Sequence, residues 1–156
     1  MRTKTCRTTL LGVALLSACA GVEAKPPTCI HPLGKWQDQL KGVLEIRSFE
    51  ASTGAISGAY IDHSGSDSWP MVGWVNSAPV GQSDACKGCK VDHTGVITFA
   101  VRWTDPNRVT AWTGTCAVNA QSGREEILVT WNTSRPNSEF EWDHTRTGAE
   151  PFVPVE

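Results

Sequence analysis

Three observations predict an all-β fold, an eight-stranded antiparallel up-and-down β-barrel. After its first two dozen residues the sequence breaks into eight short strand-like runs. The runs are joined mostly by turns of hairpin length. No helical period of useful length competes with them. Eight strands can close on themselves, which removes exposed sheet edges, and a barrel of that size holds one small ligand in its mouth. A flattened sandwich fits the same runs less well, because its Greek-key connections need longer crossovers.

The runs follow in order. Gly34 to Leu40 is the first, and Val43 to Phe49 is the second, closed by Ala51-Ser52-Thr53-Gly54. Ala55 to Ile61 is the third. Asp62 to Trp69 is polar and rich in Ser and Gly, hence a loop, and Met71 to Asn76 is the fourth strand. Ser77 to Thr94 reads as a long loop. In the fifth strand Ile97, Phe99, Val101 and Trp103 alternate with Thr98, Ala100 and Arg102, the period of a half-buried strand. Asp105-Pro106-Asn107 marks a turn before Val109 to Val118. Asn119 to Gly123 turns the chain again into Glu125 to Thr133. Ser134 to Glu139 is a loop, and Asp143 to Val153 forms the eighth strand.

Residues 1–24 stand outside this pattern and read as an export signal of bacterial type. Arg2, Lys4 and Arg7 precede an apolar stretch, Thr8 to Leu16, that is too short to span a bilayer. Two cleavage readings stand. Leu16-Ser17-Ala18-Cys19 resembles a lipobox, in which Cys19 is lipidated and ties the chain to a membrane. Otherwise a peptidase cuts after Ala20 or Ala24. Both place the mature chain outside the cytoplasm, with residues 25–156 as one domain. Without residues 1–24, eleven basic residues face fifteen acidic ones, a net charge of −4. No basic face is offered to nucleic acid.

Four cysteines remain in the domain: Cys29, Cys86, Cys89 and Cys116. An even count in an exported protein reads as two disulfides, with three possible pairings. A redox role for Cys86-Lys87-Gly88-Cys89 needs a βαβ context that is missing. A zinc site using His93 lacks an evident fourth ligand, so no metal is expected. Composition adds one signal. Seven Trp stand against one Tyr and four Phe, which suggests an aromatic core or a flat-walled pocket.

The order of several motifs then becomes informative. Gly34-Lys35-Trp36 opens the first strand, and Gly54-Ala55-Ile56-Ser57-Gly58-Ala59-Tyr60 closes the first hairpin. Trp103 is followed nine residues later by Trp112-Thr113-Gly114. Trp131, then Trp142-Asp143-His144-Thr145-Arg146-Thr147-Gly148, lead to Glu150-Pro151-Phe152. From Cys29 to Phe152 this ordered set resembles the avidin/streptavidin family of biotin-binding proteins.

The resemblance implies a homotetramer that binds biotin at the barrel mouth without catalysis, metal or cofactor. It implies pocket walls of Trp103, Trp112 and Trp131, with Trp142 closing the pocket of a neighbouring subunit. A dimer is the alternative, should the Ser77–Thr94 insertion block one interface. The resemblance also pairs Cys29 with Cys116, leaving Cys86 for Cys89. Three family donors to the ureido oxygen correspond here to Asp38, Gly42 and Tyr60, and only Tyr60 is retained. Leu40 lies between the first two. A Ser on the nitrogen side corresponds to Asp62, with Ser64 as a substitute if the loop shifts. Thr110 matches the sulfur-contacting Thr. Glu150 matches the acceptor of one ureido N–H, with an added methylene. Arg108 replaces a Ser near the carboxylate tail, and either pairs with that carboxylate or points to solvent.

An ionised Asp38 offers only acceptors, and Gly42 offers no side-chain donor. Biotin binding is therefore expected to be weaker than in family members that keep the full polar set. If Asp38, Asp62 and Glu150 converge, crowding favours a proton shared among them. A protonated Asp38 would donate to the ureido oxygen, so affinity should improve as pH falls. Alternatives are a cationic, guanidinium-like ring in place of the urea, another small ligand, or a surface-attached barrel that has lost its site. The histidines (His31, His63, His93 and His144) are scattered and carry no nucleophile pattern, so an enzyme is the weakest reading.

Overall fold

The computed structural model of the chain describes residues 26–76, 94–104 and 107–155. The export segment with Cys19, the Cys86 and Cys89 pair, and His93 lie outside the described residues. Eight antiparallel strands close into a barrel in sequence order. They are β1 (Gly34–Asp38), β2 (Val43–Phe49), β3 (Ala55–Ile61), β4 (Ser68–Asn76), β5 (Gly95–Trp103), β6 (Arg108–Val118), β7 (Glu125–Ser134) and β8 (Thr145–Pro154). β8 returns to pair with β1, Phe152 opposite Asp38, and this last ladder leaves no free edge.

Side chains alternate along every strand, and directly paired residues share a face. Leu44 thus lies opposite Tyr60, and Tyr60 opposite Trp69. Phe99 faces Trp112, Trp112 faces Trp131, and Ile127 faces Phe152. Trp36, Leu44, Ile46, Met71, Phe99, Val101, Ile127 and Phe152 are fully buried. They fill the interior from Leu44 and Val101, which pair with Tyr60 and Thr110, to Ile127, which pairs with Cys116. The end beyond Ile127 carries the Cys29–Cys116 disulfide, which ties the lead-in to β6 across a sequence separation of 87. The backbone N–H of Cys29 also donates to Glu125 at 2.9 Å. Closing a loop this long restricts the unfolded chain and contributes about 2–4 kcal/mol.

Three element boundaries differ from the sequence expectation by two residues or more, each for a local reason. β1 stops at Asp38 rather than Leu40. The Asp38 carboxylate accepts the backbone N–H of both Leu40 and Gly42 at 2.8 Å, and Lys41 turns at φ 71°. β4 starts at Ser68, before the expected Met71. Trp69 and Pro70 pair with β3, while pairing with β5 begins only at Met71. Pro70, without an N–H, therefore sits where no β5 partner is present. Asp143 lies in a short 3-10 turn over Glu141–His144, not in β8. Its carboxylate is taken up by Arg135 and Arg146.

Candidate functional site

Antiparallel order brings the ends of the strands opposite the disulfide to one mouth. Asp38 ends β1, Tyr60 approaches the end of β3, and Trp103 ends β5. Arg108 and Thr110 open β6, and Trp131 and Thr133 close β7. Glu150, on β8, lies opposite Val129 deeper in the barrel.

The aromatic side chains are contiguous. Tyr60 meets Trp103 edge-on at 5.1 Å between ring centroids and stacks near Trp112 at 5.8 Å. Phe99 stacks on Trp112 from the core side at 4.8 Å. Trp69 tilts against Trp103 at 4.6 Å. Trp131 is half-buried and lies across Gly148, where an added Cβ would come within 2.4 Å of the indole. A side chain at position 148 would thus displace Trp131.

The polar atoms are paired mainly with one another. Tyr60 donates its phenol hydrogen to Asp38 Oδ2. Asp38 Oδ1 is already filled by the Leu40 and Gly42 amides, so this buried carboxylate organises the β1–β2 hairpin. An added Cβ at Gly42 would lie 2.2 Å from the Tyr60 hydroxyl and 2.6 Å from Asp38 Oδ2. Glycine is therefore required by the Asp38–Tyr60 pair itself. Trp103 Nε1 donates to Thr110 Oγ1 at 2.8 Å, and Thr110 shares a hydroxyl contact of 2.6 Å with Thr133. Trp112 Nε1 donates to Glu150 Oε1 at 2.6 Å. The guanidinium of Arg108 lies over the Trp103 ring, 4.5 Å from its centroid.

These contacts explain the titration behaviour. Burial holds the Tyr60 phenol far above its ordinary value, aided by the hydrogen bond to Asp38 and by the negative charges of Asp38 and Glu150. Arg108 opposes the shift. Burial also raises Glu150. The Trp112 N–H works against that, and the charge of Asp38 works with it. Asp38 and Glu150 therefore act on a shared space beside Tyr60.

Asp62 behaves differently. The Ser64 hydroxyl and then the Asp67 amide hold its carboxyl below the ordinary range. It belongs to the β3–β4 turn, whereas Asp38 and Glu150 each hold one of two stacked rings, Tyr60 and Trp112. Ser64, the suggested substitute, is occupied by Asp62 and Ser66. Leu40 is exposed at the tip of the first hairpin. Trp142 is 76% exposed and stacks on Phe140 at 5.3 Å, outside the interior set of its own barrel.

Sequence reasoning missed Trp69 and Thr133 as members of this mouth, and Phe99 as the core ring beneath it. Thr133 and Phe99 were findable from alternation, two residues beyond Trp131 and four before Trp103. Trp69 was hidden by the Ser/Gly-rich stretch before it.

A closed eight-stranded meander with an aromatic, polar-tipped mouth defines a class of small-ligand-holding barrels. The sequence model of the Avidin family matches residues 26–155, and the chain belongs to that family. Solved structures agree on the fold. Xenavidin is 25% identical, over 78% of this chain and 94% of that one, with a TM-score of 0.57. Core-bradavidin is 23% identical over 78% and 97%, with a TM-score of 0.57. The biotin binding protein from chicken is 23% identical over 79% and 96%, again with a TM-score of 0.57. No curated protein matches the sequence.

Proposed function

We propose that this protein binds biotin, or a ring of the same shape, non-catalytically at the barrel mouth. The observation that carries the reading is the contiguous box of Tyr60, Trp103, Trp112 and Trp131, with Asp38, Thr110 and Glu150 set around it. Flat apolar walls with a few fixed polar atoms suit a small heterocycle. Glu150 offers a carboxylate oxygen to a ring N–H, and Thr110 a hydroxyl to the ring sulfur.

The oxygen side is poor in donors. The Tyr60 hydrogen is directed at Asp38, Asp38 is acceptor-only when ionised, and Gly42 has no side chain. A ureido oxygen placed there loses a partner, at a cost of about 1–3 kcal/mol. Binding is therefore weaker than in relatives with three donors. The same acceptors favour a second reading, a cyclic guanidinium whose N–H groups would face Asp38 and Tyr60. Trp142, exposed and backed by Phe140, suits the role of a cover for a neighbouring copy, which favours a tetramer over a dimer. The basic, apolar and small-residue order of residues 1–24 supports export, with membrane attachment only through Cys19.

Intrinsic Trp fluorescence of the disulfide-intact protein, titrated with biotin and in parallel with its 2-imino analogue, tests this. Saturable quenching or a blue shift, with a rise in Tm, is expected from binding to the native state alone. No response to either compound at millimolar concentration, from protein shown to be folded, would defeat the reading. Tighter binding of the protonated imino analogue would select the cationic ring.

A further inference from the structure

The aromatic side chains of the mouth lie in two tiers. Trp103 is 6% exposed and Trp112 is 3% exposed, so both belong to the core. Phe99 and Tyr60 both stack on Trp112, at 4.8 and 5.8 Å between centroids. Trp103 is packed by Trp69 at 4.6 Å, by Tyr60 at 5.1 Å and by the Arg108 guanidinium at 4.5 Å. The indole N–H groups of this inner tier are spent inside the barrel, Trp103 on Thr110 and Trp112 on Glu150. Three further rings of the mouth pack against this core and stay only partly buried: Tyr60, Trp69 and Trp131.

Trp69 owes its place to β4. Trp69, Met71, Gly73 and Val75 share the inward face of that strand, and Trp69 is the one nearest the mouth. It lies opposite Tyr60 on β3, while pairing with β5 begins only at Met71. Past that ladder the indole N–H donates to Thr104 Oγ1 at 3.3 Å, which bridges β4 to the residue that follows β5. The ring is thus anchored to Trp103 and to Thr104, and part of its surface stays open. In a barrel closed in sequence order, β7 stands across from β3. A flat ring held in the mouth therefore has Tyr60 and Trp69 on one side and Trp131 on the other. A side chain meets a ligand through the surface it exposes, and Trp103 exposes almost none.

We propose that Trp69 is a ligand-contacting residue of this mouth, and that Trp103 stands behind it as a positioning residue. This role rests on the ring-binding reading and specifies which rings the ligand touches. The resemblance gives the wall on this side to Trp103 and none of it to Trp69. The packing moves that wall one strand over and one layer outward. The ligand then sits nearer the opening, between Tyr60, Trp69 and Trp131, and Trp103 fixes the tilt of Trp69. An added indole at this place suits a planar ureido ring. It suits a planar cationic ring more, because the π-face attracts positive charge.

The experiment is fluorine NMR of the disulfide-intact protein carrying 5-fluorotryptophan, titrated with biotin and with its 2-imino analogue. Trp69→Phe, Trp103→Phe and Trp131→Phe each assign one resonance by its loss. The resonances of Trp69 and Trp131 are expected to move to saturation, and that of Trp103 to move less. Isothermal titration then measures the worth of the contact. Trp69→Ala should bind at least about tenfold more weakly than wild type, and Trp69→Phe should recover most of that loss. Trp103→Phe, which keeps a ring behind Trp69, should stay within about threefold. A large shift at Trp103 with Trp69 unmoved, or unchanged affinity in Trp69→Ala, would overturn the proposal and leave the ring reading standing. No shift at any Trp with either compound, from protein shown to be folded, would defeat the ring reading and this role with it. Should Trp69→Ala not fold, Trp69→Leu, which keeps apolar bulk without a π-face, carries the same comparison.

Discussion

The two ends of the barrel are built from the same alternating strands and solve opposite problems. At the disulfide end the inward positions are apolar: Ile56, Val75, Ile97 and Ile127 pack beside Cys116, and little there needs a partner. At the mouth the inward positions carry hydrogen-bonding tips: Asp38, Tyr60, Trp103, Thr110, Trp112, Thr133 and Glu150. These tips are paired with one another, Tyr60 with Asp38, Trp103 with Thr110, and Trp112 with Glu150. One end supplies stability through burial. The other holds polar groups ready, at a cost that internal pairing offsets.

Mutations should separate the two ends. The largest effect is expected for Phe99→Ala, which empties the centre of the core beneath Trp112. Phe99 is fully buried and touches both Trp112 and Phe152. Urea unfolding should show a loss of about 3–5 kcal/mol. A loss below one kcal/mol would mean that the core is not organised around this ring.

Next comes Gly42→Ser, which puts a hydroxyl donor at the position where the resemblance implies one. Intuition from the pattern says that it should help binding. The geometry says otherwise, because the new Cβ meets the Tyr60 hydroxyl. The expected result is a loss of about 1–3 kcal/mol in stability with no gain in biotin affinity, as for an overpacked site. Unchanged stability together with tighter binding would show that the Asp38–Tyr60 pair yields easily.

The smallest of the three effects concerns pH. Glu150 has a raised carboxyl in the folded protein, by burial first, opposed by the Trp112 hydrogen bond and aided by Asp38. Between its unfolded and folded pKa values the native state binds more protons than the unfolded one. Its contribution to stability is therefore full below the unfolded value and is lost as pH rises through the folded value. Thermal unfolding of wild type and Glu150→Gln across the weakly acidic range should show a wild-type decline that the variant lacks. Parallel curves would remove Glu150 from the account. Asp62, held low by Ser64 and Asp67, has the opposite sign, with stability lost as pH falls. It is solvent-exposed in its turn, so screening keeps its share small.

Much of the barrel was legible because alternation is a local signal. The fifth strand could be read residue by residue, and the turns announced themselves through Gly, Asn, Asp and Pro. The mouth was legible only through resemblance, and then only by residue type. What the residues do to one another was hidden. Asp38 and Tyr60 are 22 positions apart, and Trp112 and Glu150 are 38 apart. No sequence window shows that the first carboxylate claims the Tyr60 hydrogen, or that Asp62 is spent on its own turn. Arg135 and Arg146 were passed over as loop and strand charges, because only the Glu141–His144 turn brings Asp143 between them.

The measurement that tests the account most directly is isothermal titration of biotin into wild type and Asp38→Asn. An Asn at position 38 can still accept the Leu40 and Gly42 amides through its carbonyl oxygen. Its amide nitrogen would face Tyr60 as a donor, which frees the phenol hydrogen for the ureido oxygen. The account predicts folded protein and a gain in biotin affinity of about tenfold or more, the worth of one recovered hydrogen bond to a buried acceptor. Equal or weaker binding by a folded Asp38→Asn variant would contradict the claim that the Asp38 carboxylate sets the ligand preference of this mouth.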